Sequence, residues 1–178
     1  LAQVIPWAVQ PVAVMAQARD VDFRVFAPPD LPRVHADPEL LGEAVFQMAH
    51  NAVKFNLSGG KARVKVFEAM EWVVIEVQDE GVGLTPAQLE VLGQPFEQSA
   101  DALRRGQEGL GLGWTFARYV AEVHGDQTHV KSAGTGQGSI FSLALPATEK
   151  GPGVDALGEV DVEDRREGGI PVLCKGKG

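Results

Sequence analysis

Several short groups of residues in this chain have the types and spacing needed to hold a phosphate chain and a flat base. One is Gly109-Leu110-Gly111-Leu112-Gly113-Trp114, in which three glycines alternate with apolar residues ahead of a helical pattern from Thr115 to His124. Glycine lets a ligand come close to the main chain. A helix N-terminus behind such a loop offers free N–H groups and a positive dipole end to an anion. The same run also serves as a purely structural turn before a helix. It is not a Walker A loop, because no Lys-Ser or Lys-Thr follows the last glycine. Its G-x-G-x-G spacing is not the dinucleotide fingerprint either.

A second group lies upstream, on a predicted helix. Asn51 and Lys54 are three residues apart and share a helical face. Mg²⁺ takes oxygen ligands and binds phosphate oxygens together with one or two protein groups. Asn51 offers a neutral oxygen, Lys54 a point charge for phosphate, and Phe55 a ring that fits against a base. The alternative is the solvated face of an amphipathic helix. A third group is Asp79-Glu80-Gly81-Val82-Gly83 at the end of an apolar strand. An ionised carboxylate there only accepts hydrogen bonds, which suits the amino group of adenine, and Gly81 and Gly83 leave room for a ring. The alternative is a turn-forming Asp. Arg104 and Arg105 precede the glycine run and read equally as phosphate contacts or as an exposed basic pair. His35, His50, His124 and His129 have no close metal spacing and read as structural. Cys174 has no partner base nearby in sequence.

The elements that must position these groups follow from periodicity. Ile5 to Arg19 reads as a helix with a boundary or kink at Pro11. Val21 to Phe26 alternates as a half-buried strand, and Pro28, Pro29 and Pro32 make a loop. Asp37 is an N-cap with Pro38 at the first helical position. That helix is expected to reach about Phe55, with Leu41, Val45, Met48, Ala52 and Phe55 on one side. Ala62–Phe67 and Trp72–Val77 read as a hairpin. A short helix starts at Thr85-Pro86 and ends near Leu92. Gly93 to Gly109 reads as a loop that is mobile without ligand, because it has little apolar content. Thr115–Val123 is a helix, and His129–Ser132 with Ser139–Leu145 closes the domain.

Composition bounds the possibilities. The chain has 178 residues, 44% of them hydrophobic, which is enough for one core plus tails. A net charge of −8 argues against a nucleic-acid binder. One cysteine allows no internal disulfide and points to a reducing compartment. Leu1 to Ala18 is uncharged, but prolines interrupt it and glutamines stud it, so a packed helix is expected rather than a span. After Pro146 the chain holds seven glycines and twelve charged residues among its last 32, and 147–178 is expected to be a linker or tail. The start at Leu1 reads as a piece of a longer protein.

Taken together and in order, these groups resemble the ATP-binding catalytic domain of bacterial sensor histidine kinases, of the superfamily that includes gyrase B, MutL and a class of heat-shock chaperones. His50-Asn51-Ala52-Val53-Lys54-Phe55 resembles the N box, and Asp79-Glu80-Gly81-Val82-Gly83-Leu84 the first glycine box. Pro95-Phe96-Glu97-Gln98 resembles the F box, and Gly109 to Trp114 the second glycine box. Gly134 to Pro146 resembles the closing strands. Three positions depart from the pattern. Gln47 stands where the kinases usually have Asn, Leu110 where a small polar residue is usual, and Trp114 where a smaller aliphatic one is.

The resemblance implies an α/β (α+β) two-layer sandwich over 1–146, with a mixed, mostly antiparallel sheet, helices on one face and a mobile ATP lid at 93–112. It implies ATP and Mg²⁺ as ligands, with Asn51 on the metal, Lys54 on the phosphates and Phe55 on the nucleotide. Asp79 would take the adenine amino group, Gly81 and Gly83 would shape its pocket, and Phe96 would anchor the lid. Gly109, Leu110, Gly111, Leu112 and Gly113 would close over the triphosphate. The implied reaction moves the γ-phosphoryl group to a histidine in a dimerisation segment outside this chain, and a response-regulator receiver domain takes it next. A monomeric fragment of a homodimeric parent is expected, in the cytoplasm, and the resemblance is compatible with a membrane-anchored parent. A gyrase-like ATPase is the first rival. It would need a Glu where Gln47 stands, and Glu43 lies one turn further off. The second rival is a degenerate nucleotide sensor.

Overall fold

The computed structural model describes residues 1–93, 111–124 and 127–149. Its first element, α1 (Val4–Ala18), runs through Pro11 without interruption. Pro11 lies on the exposed side, while Ile5, Ala8, Val9, Val12, Ala13 and Ala16 are buried. Burial of that face outweighs the one hydrogen bond that proline removes, so the boundary expected there does not form. The helix ends where Asp20 takes a left-handed φ of 57° and the Val21 N–H closes on Ala16 O at 2.9 Å.

β1 (Asp22–Phe26) pairs in parallel with β3 (Lys61–Ala69). Between them lie β2 (Arg33–Val34) and α2 (Pro38–Lys54). The α2 start is set as expected: Asp37 accepts from the N–H groups of Glu39 at 2.8 Å and Leu40 at 3.0 Å, and Pro38 follows. Asp37→Ala should therefore lower stability by about 1 kcal/mol. Urea unfolding monitored by circular dichroism measures it; an unchanged midpoint would mean that the cap contributes nothing.

β3 and β4 (Trp72–Asp79) form the expected antiparallel hairpin, which is longer at both ends than its apolar core. β4 pairs antiparallel with β6 (Ser139–Glu149), β5 (Gln127–Lys131) lies on the other side of β6, and β2 pairs with its far end. Among the described strands one pair is parallel and the rest are antiparallel. β6 runs three residues past Pro146, where the composition changes, and it is this extension that β2 meets.

Alternation decides which side of the sheet is covered. Ala62, Val64 and Val66 of β3, Val73, Ile75 and Val77 of β4, and Phe141, Leu143 and Leu145 of β6 are all buried. α2 packs on this face beside α1 and α4 (Gly111–Val123), which buries Trp114, Ala117, Val120 and Ala121. The fold is thus the expected two-layer sandwich. The short α3 (Pro86–Gly93) opens with reciprocal bonds: Thr85 N–H to Gln88 Oε1 at 2.9 Å, and Gln88 N–H to Thr85 Oγ at 3.3 Å. At the far end of α4, His124 Nδ1 lies 2.7 Å from Val120 O, and His124 Nε2 accepts the Asp37 N–H at 3.1 Å. His124 therefore carries its proton on Nδ1 and ties α4 to the α2 cap.

Candidate nucleotide site

The alternation that buries Val73, Ile75 and Val77 places Asp79 on the same, helix-facing side. Its side chain is 6% exposed. Oδ1 accepts the Gly81 N–H at 2.8 Å, and Oδ2 accepts the Ser139 hydroxyl at 2.6 Å. Burial pushes the Asp79 carboxyl above its ordinary value, and the bonds from Ser139 and Gly81 only partly offset this. A raised folded pKa has a defined sign. The stability that Asp79 contributes is full below the ordinary carboxylate value and is lost as pH rises through the raised one. A fold that holds an ionised carboxylate in such a place does so at a cost, which motivates a ligand-facing role.

Gly81 and Gly83 were expected to leave room for a ring, but in the structure their missing side chains make way for neighbouring main chain. At Gly81 a Cβ would overlap the Phe55 carbonyl at the end of α2. Gly83 has φ +64°, and a Cβ there would overlap the carbonyl of Gly134. The β5–β6 loop thus folds onto the first glycine turn: the Gly136 N–H bonds Val82 O at 2.7 Å and the Gly138 N–H bonds Gly81 O at 3.2 Å. Ser132 holds this junction by accepting the Leu84 N–H at 3.0 Å and donating to Gly138 O at 2.6 Å. Asn51, Phe55, Asp79, Val82, Gly83, Leu84, Ser139 and Phe141 line one cleft. The sequence reading named four of these eight. Ser139 was missed as a partner of Asp79, although its place directly after Gly138 was the available signal.

Asn51 stands on the α2 wall, 9% exposed. Its amide makes no hydrogen bond to any described residue. A buried amide without a partner is rare and fits a group that a ligand or cation completes. It faces the first turn of α4, where a Cβ on Gly113 would come within 2.9 Å of both Asn51 Nδ2 and Gln47 Oε1. Lys54 is exposed at the end of α2, with Nζ 5.1 Å from the Phe55 ring centre, and its carbonyl accepts from Arg19 at 3.0 Å. Lys54 does not line the cleft but borders it through Phe55. His50 faces away and packs on Phe46 at 5.6 Å; burial, then Lys54 and Arg19, lower its pKa.

The second glycine run differs from expectation in one respect. α4 begins at Gly111, so Gly111, Leu112 and Gly113 form its first turn and not a loop ahead of Thr115. Gly93 likewise belongs to α3. The remaining expected lid residues, including Phe96, Arg104, Arg105, Gly109 and Leu110, lie outside the described residues. Trp114 is 3% exposed and meets Phe141 edge-on at 5.0 Å. Its Nε1–H and the Arg118 guanidinium both donate to Leu92 O, at 3.2 and 3.3 Å. The bulk that departs from the family pattern fills the space between the end of α3 and the sheet. Among the described residues no cluster of His, Cys, Asp and Glu is arranged to hold a metal. Among them, too, no helix is long and apolar enough to cross a membrane.

A helix wall whose amide is unpartnered among the described residues, a buried acceptor at a strand end and glycine turns between them define a nucleotide-binding sandwich of the ATPase kind. The chain belongs to the family of histidine kinase-, DNA gyrase B- and HSP90-like ATPases, whose model matches residues 36–149. It is 34% identical over 139 residues to the histidine protein kinase DivJ of Caulobacter vibrioides, covering 78% of this chain and 23% of that one. It is 33% identical over 132 residues to the adaptive-response sensory kinase SasA of a Synechococcus strain, covering 73% and 34%. Among solved structures it is similar to the mycobacterial sensor histidine kinase MprB, with 27% identity, a TM-score of 0.64, and 82% and 94% of the two chains covered. The nucleotide-free catalytic domain of histidine kinase ThkA shares the fold at a TM-score of 0.67, with 20% identity and coverage of 83% and 92%. The chain spans only 23% to 34% of the length of those two curated relatives.

Proposed function

We propose that this chain is the ATP-binding catalytic domain of a two-component sensor histidine kinase. It would transfer the γ-phosphoryl group of ATP to a histidine of a dimerisation domain outside 1–178, from which a response-regulator receiver domain takes it. The observation that carries this reading is the cleft that brings together buried Asp79 and Asn51, whose amide has no partner among the described residues. Asp79 would accept from the adenine amino group in this cleft, while Gly81 and Gly83 let the main chain close against the Phe55 and Gly134 carbonyls. Phe55 packs against the nucleotide, and Lys54, just outside the cleft, reaches its phosphates. Asn51 would supply an oxygen to Mg²⁺, which would neutralise charge on the phosphate oxygens. The Gly111–Gly113 turn presents its free N–H groups to the phosphates. Phe96, Arg104, Arg105, Gly109 and Leu110 belong to the same proposal, as lid residues. Catalysis of this kind is mostly positioning and charge neutralisation. The phosphorus–oxygen bond to the leaving ADP breaks as a bond to an imidazole nitrogen forms.

Gln47 favours the kinase over the gyrase-like ATPase, because an amide in that position cannot take a proton from water. The test supplies this chain with [γ-³²P]ATP, Mg²⁺ and the dimerisation domain of its parent. The expected result is acid-labile, base-stable label on the partner and little free phosphate from the chain alone. Steady hydrolysis at several turnovers per second by the chain alone would overturn the kinase reading. The other elements of the reading are a cytoplasmic domain, monomeric by itself within a homodimeric parent, and a linker or tail beyond the last strand.

The raised Asp79 pKa gives a pH dependence. Protonation turns one acceptor oxygen into a donor and removes the charge, so affinity for ADP should fall as pH drops through a value above the ordinary Asp one. Calorimetric titrations across pH measure it. An affinity that is flat down to the ordinary carboxylate value would contradict the assigned role.

A further inference from the structure

Glu43 has no role in the reading above, yet it lies on the same side of α2 as Asn51. Residues four apart on a helix are neighbours, so Glu43, Gln47 and Asn51 form a ladder. Gln47 Nε2 donates to Glu43 Oε1 at 2.7 Å, in a partly buried position. An ionised carboxylate only accepts, so the amide end that meets it must be the NH₂. That chemistry fixes the opposite end. Gln47 Oε1 is turned toward the first turn of α4 and stands, with Asn51 Nδ2, 2.9 Å from the point where a Gly113 side chain would begin.

We infer that Glu43 is a positioning residue. By engaging the donor end of Gln47, it presents Oε1 as a fixed neutral oxygen beside Asn51. The inference rests on the proposed reading that the Asn51 side of the cleft takes Mg²⁺ and phosphate. A free glutamine there would turn its NH₂ toward the cation in part of its population, and ordering it would weaken binding. A hydrogen bond made before the ligand arrives removes both penalties. Partners that orient metal-binding groups in this way typically matter by roughly 10–100-fold in metal affinity.

The test uses the whole chain, Mg²⁺ and a non-hydrolysable ATP analogue. Glu43→Ala is expected to raise the Mg²⁺ concentration for half-maximal analogue binding roughly tenfold, with metal-free binding unchanged. Glu43→Gln, whose carbonyl still accepts, should keep most of the wild-type response. Gln47→Leu should reproduce the Glu43→Ala loss, and the double variant should be no worse than either single one, because the two side chains act as one unit. In the ligand-free protein, the Gln47 side-chain amide should give slowly exchanging NMR signals that Glu43→Ala abolishes. A wild-type Mg²⁺ response in Glu43→Ala, or losses that simply add in the double variant, overturns the inference and leaves the nucleotide site standing. Absence of analogue binding by the wild-type chain, with or without Mg²⁺, overturns the nucleotide reading and this inference with it.

Discussion

Asp79→Asn is expected to lower affinity for adenine nucleotides by about 30- to 1000-fold, as a loss of about 2–4 kcal/mol would, while leaving the fold intact. The surroundings of Asp79 dictate how an asparagine would sit. The Gly81 N–H needs an acceptor, so the amide oxygen must stay where Oδ1 is now. The NH₂ then takes the place of Oδ2 and faces the Ser139 oxygen, which can turn its hydrogen away and accept. The protein is satisfied, but the edge offered to the ligand has changed from acceptor to donor. An adenine amino group would meet an N–H. Stability at neutral pH should be unchanged or slightly higher, because burial penalises the ionised carboxylate that the substitution removes. Calorimetry with ADP and thermal unfolding separate the two effects. Wild-type affinity in a folded variant would reduce Asp79 to a turn residue.

Trp114→Ala should be strongly destabilising, at about 3–5 kcal/mol. Trp114 is buried, packs edge-on against Phe141 of β6 and donates to the last turn of α3. Truncation loses both contacts and leaves a cavity beside the cleft. Leu92 O keeps its bond from Arg118, so the loss is mainly packing. Domains of this size are stable by about 5–15 kcal/mol, so the substitution removes a large share. Urea unfolding measures it, and Trp114→Phe should recover part of the loss. A Trp114→Ala midpoint within error of wild type would mean that α4 is held by other contacts.

What the sequence disclosed depended on how local each signal was. The cap at Asp37-Pro38, the alternation along Trp72–Val77 and the helical stripe through Leu41, Val45 and Met48 are set within a few residues, and each leads to the observed element. The inward aim of Asp79 follows from that alternation alone. β2 was not legible, because Arg33–Val34 becomes a strand only through pairing with Ala147 and Glu149, far along the chain. The bond from Ser139 to Asp79 spans 60 residues and needs the β4–β6 register to be known. The start of α4 at Gly111 was missed because glycines are poor helix formers. Packing of α4 on α2, with Gly113 against Gln47 and Asn51, overrides that preference and accounts for glycine there.

As proposed, Asp79 reads the amino group of adenine in a cleft walled by α2 and the glycine turns. The most direct measurement compares ADP with IDP on the wild-type chain by calorimetry. IDP keeps the sugar and phosphates but carries a carbonyl oxygen where adenine has its amino group. IDP is expected to bind at least about 100-fold more weakly, because two acceptors would then face each other at Asp79. Equal affinities for ADP and IDP would contradict it.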